Sequence, residues 1–297
     1  MRKVKKILFP TDFSDCAEHA FKSAIKMAKR YDADLEVLHV SVLPVSDPYS
    51  LGYYYPDSTE AKHMLEKHVK NELKRTIQDQ GIKDIKITTK QMTGLSPAPV
   101  ILKYAKEQEF DMLVIGTHGR TGFRHAVLGS VAEEIVRLAP CSVMTVGSHY
   151  EAKSDAENKI LVPIDFSSHS KTALANAKEF ADRYNMSIET IHVIPNAFQI
   201  HPEGTEFNIF NSYPDILEET KASLKEMSDE MGGPEIVIDH AVTVGYPAVE
   251  ICDYAKQHGH SLIMMPTHGI TGIKKLLIGS VAEKVVRLAP CPVIVLK

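Results

Sequence analysis

Two tandem α/β domains are predicted, each a doubly wound, five-stranded parallel sheet flanked by helices in the flavodoxin-like or Rossmann-like manner. Three observations predict them. Residues 111–146, DMLVIGTHGRTGFRHAVLGSVAEEIVRLAPCSVMTV, return as residues 261–297, SLIMMPTHGITGIKKLLIGSVAEKVVRLAPCPVIVLK, with THG, TG, GSVAE and VRLAPC kept at an offset of 150. Long self-similarity at a fixed offset means fused copies of one unit. The chain has 297 residues, and at roughly 150 residues per domain that length allows two. Short apolar runs of strand character alternate with segments of helical period in both halves, the order of parallel βαβ units.

In the first half, Ile7, Leu8 and Phe9 make a continuous apolar run within residues 6–10, as in a strand covered on both faces. Thr11-Asp12-Phe13-Ser14 then forms a turn. Ala17, Ala20, Phe21, Ala24, Ile25 and Ala28 recur at helical spacing over residues 15–31, and residues 35–40 return to strand character. Residues 41–58 carry prolines, a glycine and four tyrosines, which predicts a long loop of functional or disordered type. A helix over 59–80, a strand over 85–92, a helix opened by Ser96-Pro97 and running to 108, and a strand over 112–115 lead into the repeat. The polar, aperiodic stretch GSHYEAKSDAEN (147–158) joins the halves. Domain 1 is thus placed at 1–148, a linker at 149–158 and domain 2 at 159–297. In domain 2, strands are expected over 160–164, 188–193, 235–241, 262–265 and 293–296, and helices over 168–184, 214–231, 247–258 and 280–288. Its long loop, 195–213, differs completely from that of domain 1.

Composition excludes several classes. Hydrophobic residues make up 44% and charged residues 24%, as in ordinary soluble proteins. A net charge of −4 dictates no basic surface for nucleic acid or membrane. The basic start MRKVKK is followed by an apolar run too short for a signal sequence and broken by Pro10 and Asp12. No run approaches the roughly 18 apolar residues of a membrane span, so a cytoplasmic location is expected. Cys16, Cys141, Cys252 and Cys291 lack C-x-x-C spacing and are expected as buried thiols. Cys252 and His258 stand more than a turn and a half apart on a helix, which argues against a zinc cluster with His260. No Walker A lysine motif occurs, so P-loop hydrolysis is not supported.

The repeat itself has the layout of a phosphate cradle. Gly116, Gly119, Gly129 and Ser130 form G-x-x-G, nine residues, then G-S, after a buried strand and directly before the helical pattern Val131, Ile135, Val136, Leu138. Glycine permits close backbone approach to an anion, or positive φ. Ser130 is expected as the N-cap, leaving neighbouring N–H groups unpaired at a helix start suited to phosphate.

This glycine pattern resembles the ATP-binding signature of the universal stress protein family. KILFPTDFS (6–14) and KILVPIDFS (159–167) resemble that family's first strand and turn, and LHV and IHV, ending at Val40 and Val193, resemble the end of its second strand. The resemblance covers nearly the whole chain twice. It implies that Asp12 and the backbone at Val40 hold adenine, that Gly119, Gly129 and Ser130 contact the phosphates, and that Pro10, Thr11, Ile115, Gly116, His118 and Val131 also belong to the ATP site, with Mg²⁺ accompanying the triphosphate. It also implies that the last strands, near 142–146 and 292–296, pair with each other, giving an internal pseudo-dimer and protecting edges that would otherwise invite association.

Domain 2 keeps Asp165, Val193, Gly269, Gly279 and Ser280, but Ile164 replaces Thr11 and Pro266 replaces Gly116. Proline supplies no N–H and fixes φ, so a donor or a positive-φ role is lost there, and domain 2 is expected to bind ATP more weakly or to bind something else. Arg120, Arg124 and His125 in the first spacer face Ile270, Lys274 and Lys275 in the second; they are phosphate contacts or solvated loop charges. Asp12 and Asp165 could instead cap the helices that follow. His39, His192, His118 and His268 recur without metal-ligand spacing, which favours structural or ligand-contacting roles.

The functional expectation is a stress-response protein that acts by nucleotide binding and signalling, with an adenine nucleotide and an unnamed protein partner. The fold leaves room for a further homo-dimer. Two alternatives stand beside it. One is a slow Mg-dependent ATPase in which Asp12 or His118 orients water. The other is a binder of lipid or an apolar metabolite, using the tyrosines of 49–55 and Phe198, Phe207 and Phe210, with a vestigial phosphate site.

Overall fold

A computed structural model of the chain describes residues 4–42, 59–78, 84–119, 128–147, 150, 158–195, 214–269 and 279–297. Most of both long loops, most of the linker and the spacers 120–127 and 270–278 lie outside the described residues. The expectations for the aromatic loop residues and for Arg120, Arg124, His125, Ile270, Lys274 and Lys275 therefore lie outside them too. The chain divides into two compact units, Arg2–Ser148 and His149–Lys297.

The first unit runs β1 (Lys6–Pro10), α1 (Asp15–Tyr31), β2 (Asp34–Val42), α2 (Thr59–Gln78), β3 (Ile87–Gly94), α3 (Pro97–Glu107), β4 (Met112–Gly116), α4 (Ser130–Leu138) and β5 (Ser142–Val146). Its strands lie in the order β3-β2-β1-β4-β5 and pair in parallel. Of the two doubly wound patterns expected, this is the Rossmann order, which reverses direction between β1 and β4. The second unit runs β6 (Lys159–Pro163), α5 (Ser168–Tyr184), β7 (Ser187–Pro195), α6 (Ile216–Glu230), β8 (Ile238–Gly245), α7 (Pro247–Gln257), β9 (Leu262–Pro266), α8 (Ser280–Leu288) and β10 (Val293–Leu296). Its order, β8-β7-β6-β9-β10, is the same with the same parallel pairing.

The apolar runs become the central strands because both faces are covered: Ile7, Leu8, Phe9 and Met112 to Val114 are fully buried. Phe9 packs on Phe21 of α1, ring centroids 5.1 Å apart. Ser14 caps α1, its hydroxyl accepting from the Ala17 N–H, and Asp32 ends it in a left-handed conformation.

Strands β2 and β7 run two residues past their expected ends, to Val42 and Pro195, and two other strands are displaced as a whole. β3 lies two residues later than the pattern indicated and β8 three to four later. Both are outer strands within their units with mostly exposed or half-buried residues, so alternation carries little signal. Their limits follow from pairing along the full length of β2 and β7, from Leu35↔Ile87 to Val42↔Gly94 and from Ile188↔Ile238 to Pro195↔Gly245.

Candidate functional site

Where the strand order reverses in the first unit, the carboxyl ends of β1, β2 and β4 and the start of α4 enclose a cavity of about 280 Å³. Pro10, Thr11 and Asp12 reach it from the turn after β1, and Val40 from the end of β2. Ile115 and Gly116 end β4 along its floor. His118, Gly119, Gly129, Ser130 and Val131 form the loop and helix start on its far side. Pro97 and Ile101 of α3 also line it, and motif reading missed them. The signal was available: Ser96-Pro97 marks a helix start after β3, and a crossover helix begins at the carboxyl edge of the sheet.

The turn after β1 is held by its own side chains. Asp12 Oδ1 accepts from the Ser14 N–H at 3.1 Å and from the Ser14 hydroxyl at 2.6 Å, so it orients the cap without being the cap. Thr11 Oγ1 accepts from the Phe13 N–H at 3.0 Å. Phe13 stands within this turn at φ 62°, a left-handed conformation uncommon outside glycine. His39 stacks on Phe13, centroids 4.7 Å apart, and its Nδ1–H donates to the Thr11 carbonyl at 2.8 Å. A carbonyl only accepts, so that bond defines the tautomer and gives this recurrent histidine a structural role.

The glycines serve close approach. None of Gly116, Gly119 and Gly129 has positive φ, so that alternative is set aside. A Cβ on Gly116 would come within 2.9 Å of Cys16 Sγ and 3.2 Å of the Cys16 backbone. One on Gly119 would come within 2.7 Å of Asp12 Oδ2, so the carboxylate rests on that glycine. Burial pushes the Cys16 thiol above its ordinary range, outweighing hydrogen bonds from the His118 and Thr117 backbone and the Thr117 side chain.

Ser130 is not the N-cap. Gly129 is, at φ −62° and ψ 139°, with no side-chain cap, and Ser130 is the first helical residue. The reason is a loop closure: the Gly129 N–H donates to the Thr117 carbonyl at 2.8 Å, and the Gly129 carbonyl accepts the first helical bond from Glu133 at 2.9 Å. The Gly129 N–H is thereby used internally. The N–H groups of Ser130, Val131 and Ala132 precede that first helical bond and so have no partner within the helix. His118 Nδ1 pairs with Thr117 Oγ1 at 2.8 Å, while its buried Nε2 has no hydrogen-bond partner among the described residues.

The second unit brings the matching residues to matching places. Asp165 Oδ1 accepts from the Ser167 N–H at 3.0 Å, Asp165 Oδ2 rests against Gly269, and Val193 is buried in β7. Gly279 caps α8, its N–H donating to the Thr267 carbonyl at 2.8 Å, and Ser280 opens the helix. His192 Nδ1–H donates to the Ile164 carbonyl at 2.7 Å, and Phe166 has φ 61°. Ile164 cannot accept the bond that Thr11 accepts. Pro266 ends β9, and the helix residue matching Cys16 is the exposed His169. Among the described residues no three His, Cys, Asp or Glu side chains are grouped to hold a metal, and no helix is long and apolar enough to cross a membrane.

Comparison with known proteins agrees with this duplicated geometry. The sequence model of the Universal stress protein family matches residues 3–147 and again 157–297. A universal stress protein of Methanocaldococcus jannaschii is 35% identical over 143 residues, covering 48% of this chain and 81% of the relative. One from Mycolicibacterium smegmatis is 25% identical over 297 residues, covering 98% and 96%. The crystal structure of a universal stress protein from Archaeoglobus fulgidus has the same fold, with a TM-score of 0.66 at 22% identity over 100% of this chain and 99% of that one. The chain belongs to the universal stress protein family, with one copy of its fold in each half.

Proposed function

We propose that the protein is an adenine-nucleotide-binding stress-response protein whose first domain holds ATP, and that it acts by binding and signalling. The observation that carries this reading is convergence on one cavity. A helix start with three N–H groups outside the helical pattern, a histidine whose buried nitrogen has no partner among the described residues and a pre-formed aspartate turn meet at the switch in strand order. A helix start of this kind suits phosphate, and an apolar pocket with few polar groups suits a base. On this reading Asp12 and the Val40 backbone take adenine, and Ser130, Val131 and His118 take the phosphates. Mg²⁺ enters with the triphosphate, bound mainly through phosphate oxygens and water. The second domain binds nucleotide more weakly, because Ile164 lacks the hydroxyl of Thr11 and Pro266 supplies no N–H where Gly116 does.

Calorimetric titration of ATP with Mg²⁺ into the intact protein tests this, beside Ser130→Pro and Ser280→Pro. Proline is tolerated at the first helical position but deletes one N–H, and the extended Gly129 suits a following proline. One site is expected in the unaltered protein. Ser130→Pro weakens it by about 10- to 150-fold, the worth of a hydrogen bond to a charged group, and Ser280→Pro leaves it unchanged. Absence of binding to the unaltered protein sinks the nucleotide reading. Loss in Ser280→Pro alone moves the site to the second domain.

A further inference from the structure

The second domain buries a titratable cluster that the first lacks, near the amino ends of its strands and away from the glycine loop. His260 is 3% exposed. Its Nε2 lies 3.1 Å from Glu189 Oε2, yet neither ring nitrogen makes a hydrogen bond of good geometry. Glu189 Oε1 accepts from the Tyr254 hydroxyl at 2.5 Å, which ties α7 to β7. The first domain has the same tie, Tyr104 to Glu36 at 2.6 Å, but Phe110 stands where His260 does. The two rings sit alike: Phe110 is 5.8 Å from the Tyr104 ring and His260 is 5.9 Å from the Tyr254 ring. One position therefore has the same shape and different chemistry in the two copies.

We propose that His260, Glu189 and Tyr254 form an acid-responsive clamp that holds α7 on β7 and loosens when His260 takes up a proton, while the first domain, with Phe110, does not respond. A proton on His260 gives the ring two donors, and among the described residues Nδ1 has no acceptor to meet the second. The other groups bearing on the cluster are His258 of α7, Lys159 of β6 and Asp239 of β8. Lys159 and His258 oppose a positive charge on His260, and Glu189 favours one. Burial outweighs Glu189, so the folded domain holds His260 below its ordinary value of 6.5. A group so lowered contributes full stability above the unfolded value, and that stability declines as pH falls through it. His240 adds to the asymmetry. It lies on β8 against Thr190 Oγ1 at 2.8 Å, flanked by Asp229, Lys221 and Lys225 of α6 and by Asp239, and burial lowers it as well. Its register partner in β7 matches Val37 of β2, so its counterpart in the first domain is Thr89, which does not titrate. The helix so controlled is the counterpart of α3, whose Pro97 and Ile101 wall the first cavity.

Hydrogen exchange with mass spectrometry on the intact chain between pH 7.5 and 5, corrected for intrinsic exchange rates, tests the clamp independently of any nucleotide. In the unaltered protein, opening of α7 is expected to rise by up to about tenfold per pH unit below roughly 6.5, the effect of one proton, while α3 stays flat. His260→Phe flattens α7. Phe110→His transfers the dependence to α3. Equal pH dependence of α3 and α7 in the unaltered protein, or an α7 response unchanged by His260→Phe, overturns the proposal. If His260→Phe does not fold, the Phe110→His graft decides: a new response in α3 sustains the clamp, and none refutes it.

Discussion

At the scale of single residues, Gly116 and Pro266 hold equivalent positions under different constraints. A side chain at 116 meets Cys16 at 2.9 Å and its backbone at 3.2 Å, so Gly116→Ala forces α1 away from β4. That overpacking is expected to destabilise the protein by about 1–3 kcal/mol. Pro266→Gly, where the matching helix residue is exposed, loses only the entropic restraint of proline, about 0.4–1 kcal/mol. Urea unfolding of the two variants measures the contrast, and equal losses would count against the packing account. The glycine pattern was legible in sequence because spacing alone reveals it. The reason for each glycine was not, since it lies in Cys16, Asp12 and the Thr117 carbonyl, remote in the chain or unremarkable as letters. The left-handed Phe13 and Phe166 were equally invisible, because nothing in an aromatic residue announces positive φ.

At the scale of elements, the helices were legible to within a residue or two where a cap and an apolar stripe agree. α1 and α5 begin one residue after Ser14 and Ser167 and end at a left-handed Asp32 and Asn185. The two ends are a natural comparison. Asp32 places a carboxylate at the negative end of the α1 dipole, and Asn185 places a neutral amide there. Asp32→Asn is therefore expected to stabilise the first domain by about 0.3–1 kcal/mol, seen as a higher urea midpoint with unchanged slope. No change in midpoint would mean that solvent screens the charge at this exposed end. The strands β3 and β8 were misplaced for the opposite reason. Half-exposed strands take their limits from their neighbours.

At the scale of the whole molecule, duplication made the architecture legible before any strand was assigned, and it turned each half into a reference for the other. What one copy shows as rule, the other shows as departure: Thr11 and Ile164, Phe110 and His260. The four thiols sample both copies and report on their integrity. Cys16, Cys252 and Cys291 are buried, and burial pushes Cys252 up to about 12, whereas Cys141 is half-buried. Because the thiolate is the reactive form, Cys141 is expected to react first with iodoacetamide at neutral pH and the other three slowly. Timed quenching with peptide mass spectrometry checks the order. Fast labelling of Cys16 would mean that α1 opens from the cradle in solution.

The contact between Cys16 and Gly116 also bears on descent. In a duplicated ancestor with both residues in each copy, a proline at the strand end would have met the cysteine beneath it. On that premise the change at 169 came first or together with the change at 266; glycine can return to 266 at little cost, but cysteine cannot return to 169 while Pro266 stays. The altered floor of the second cradle thus ties residue 169 to residue 266, in an order that runs one way.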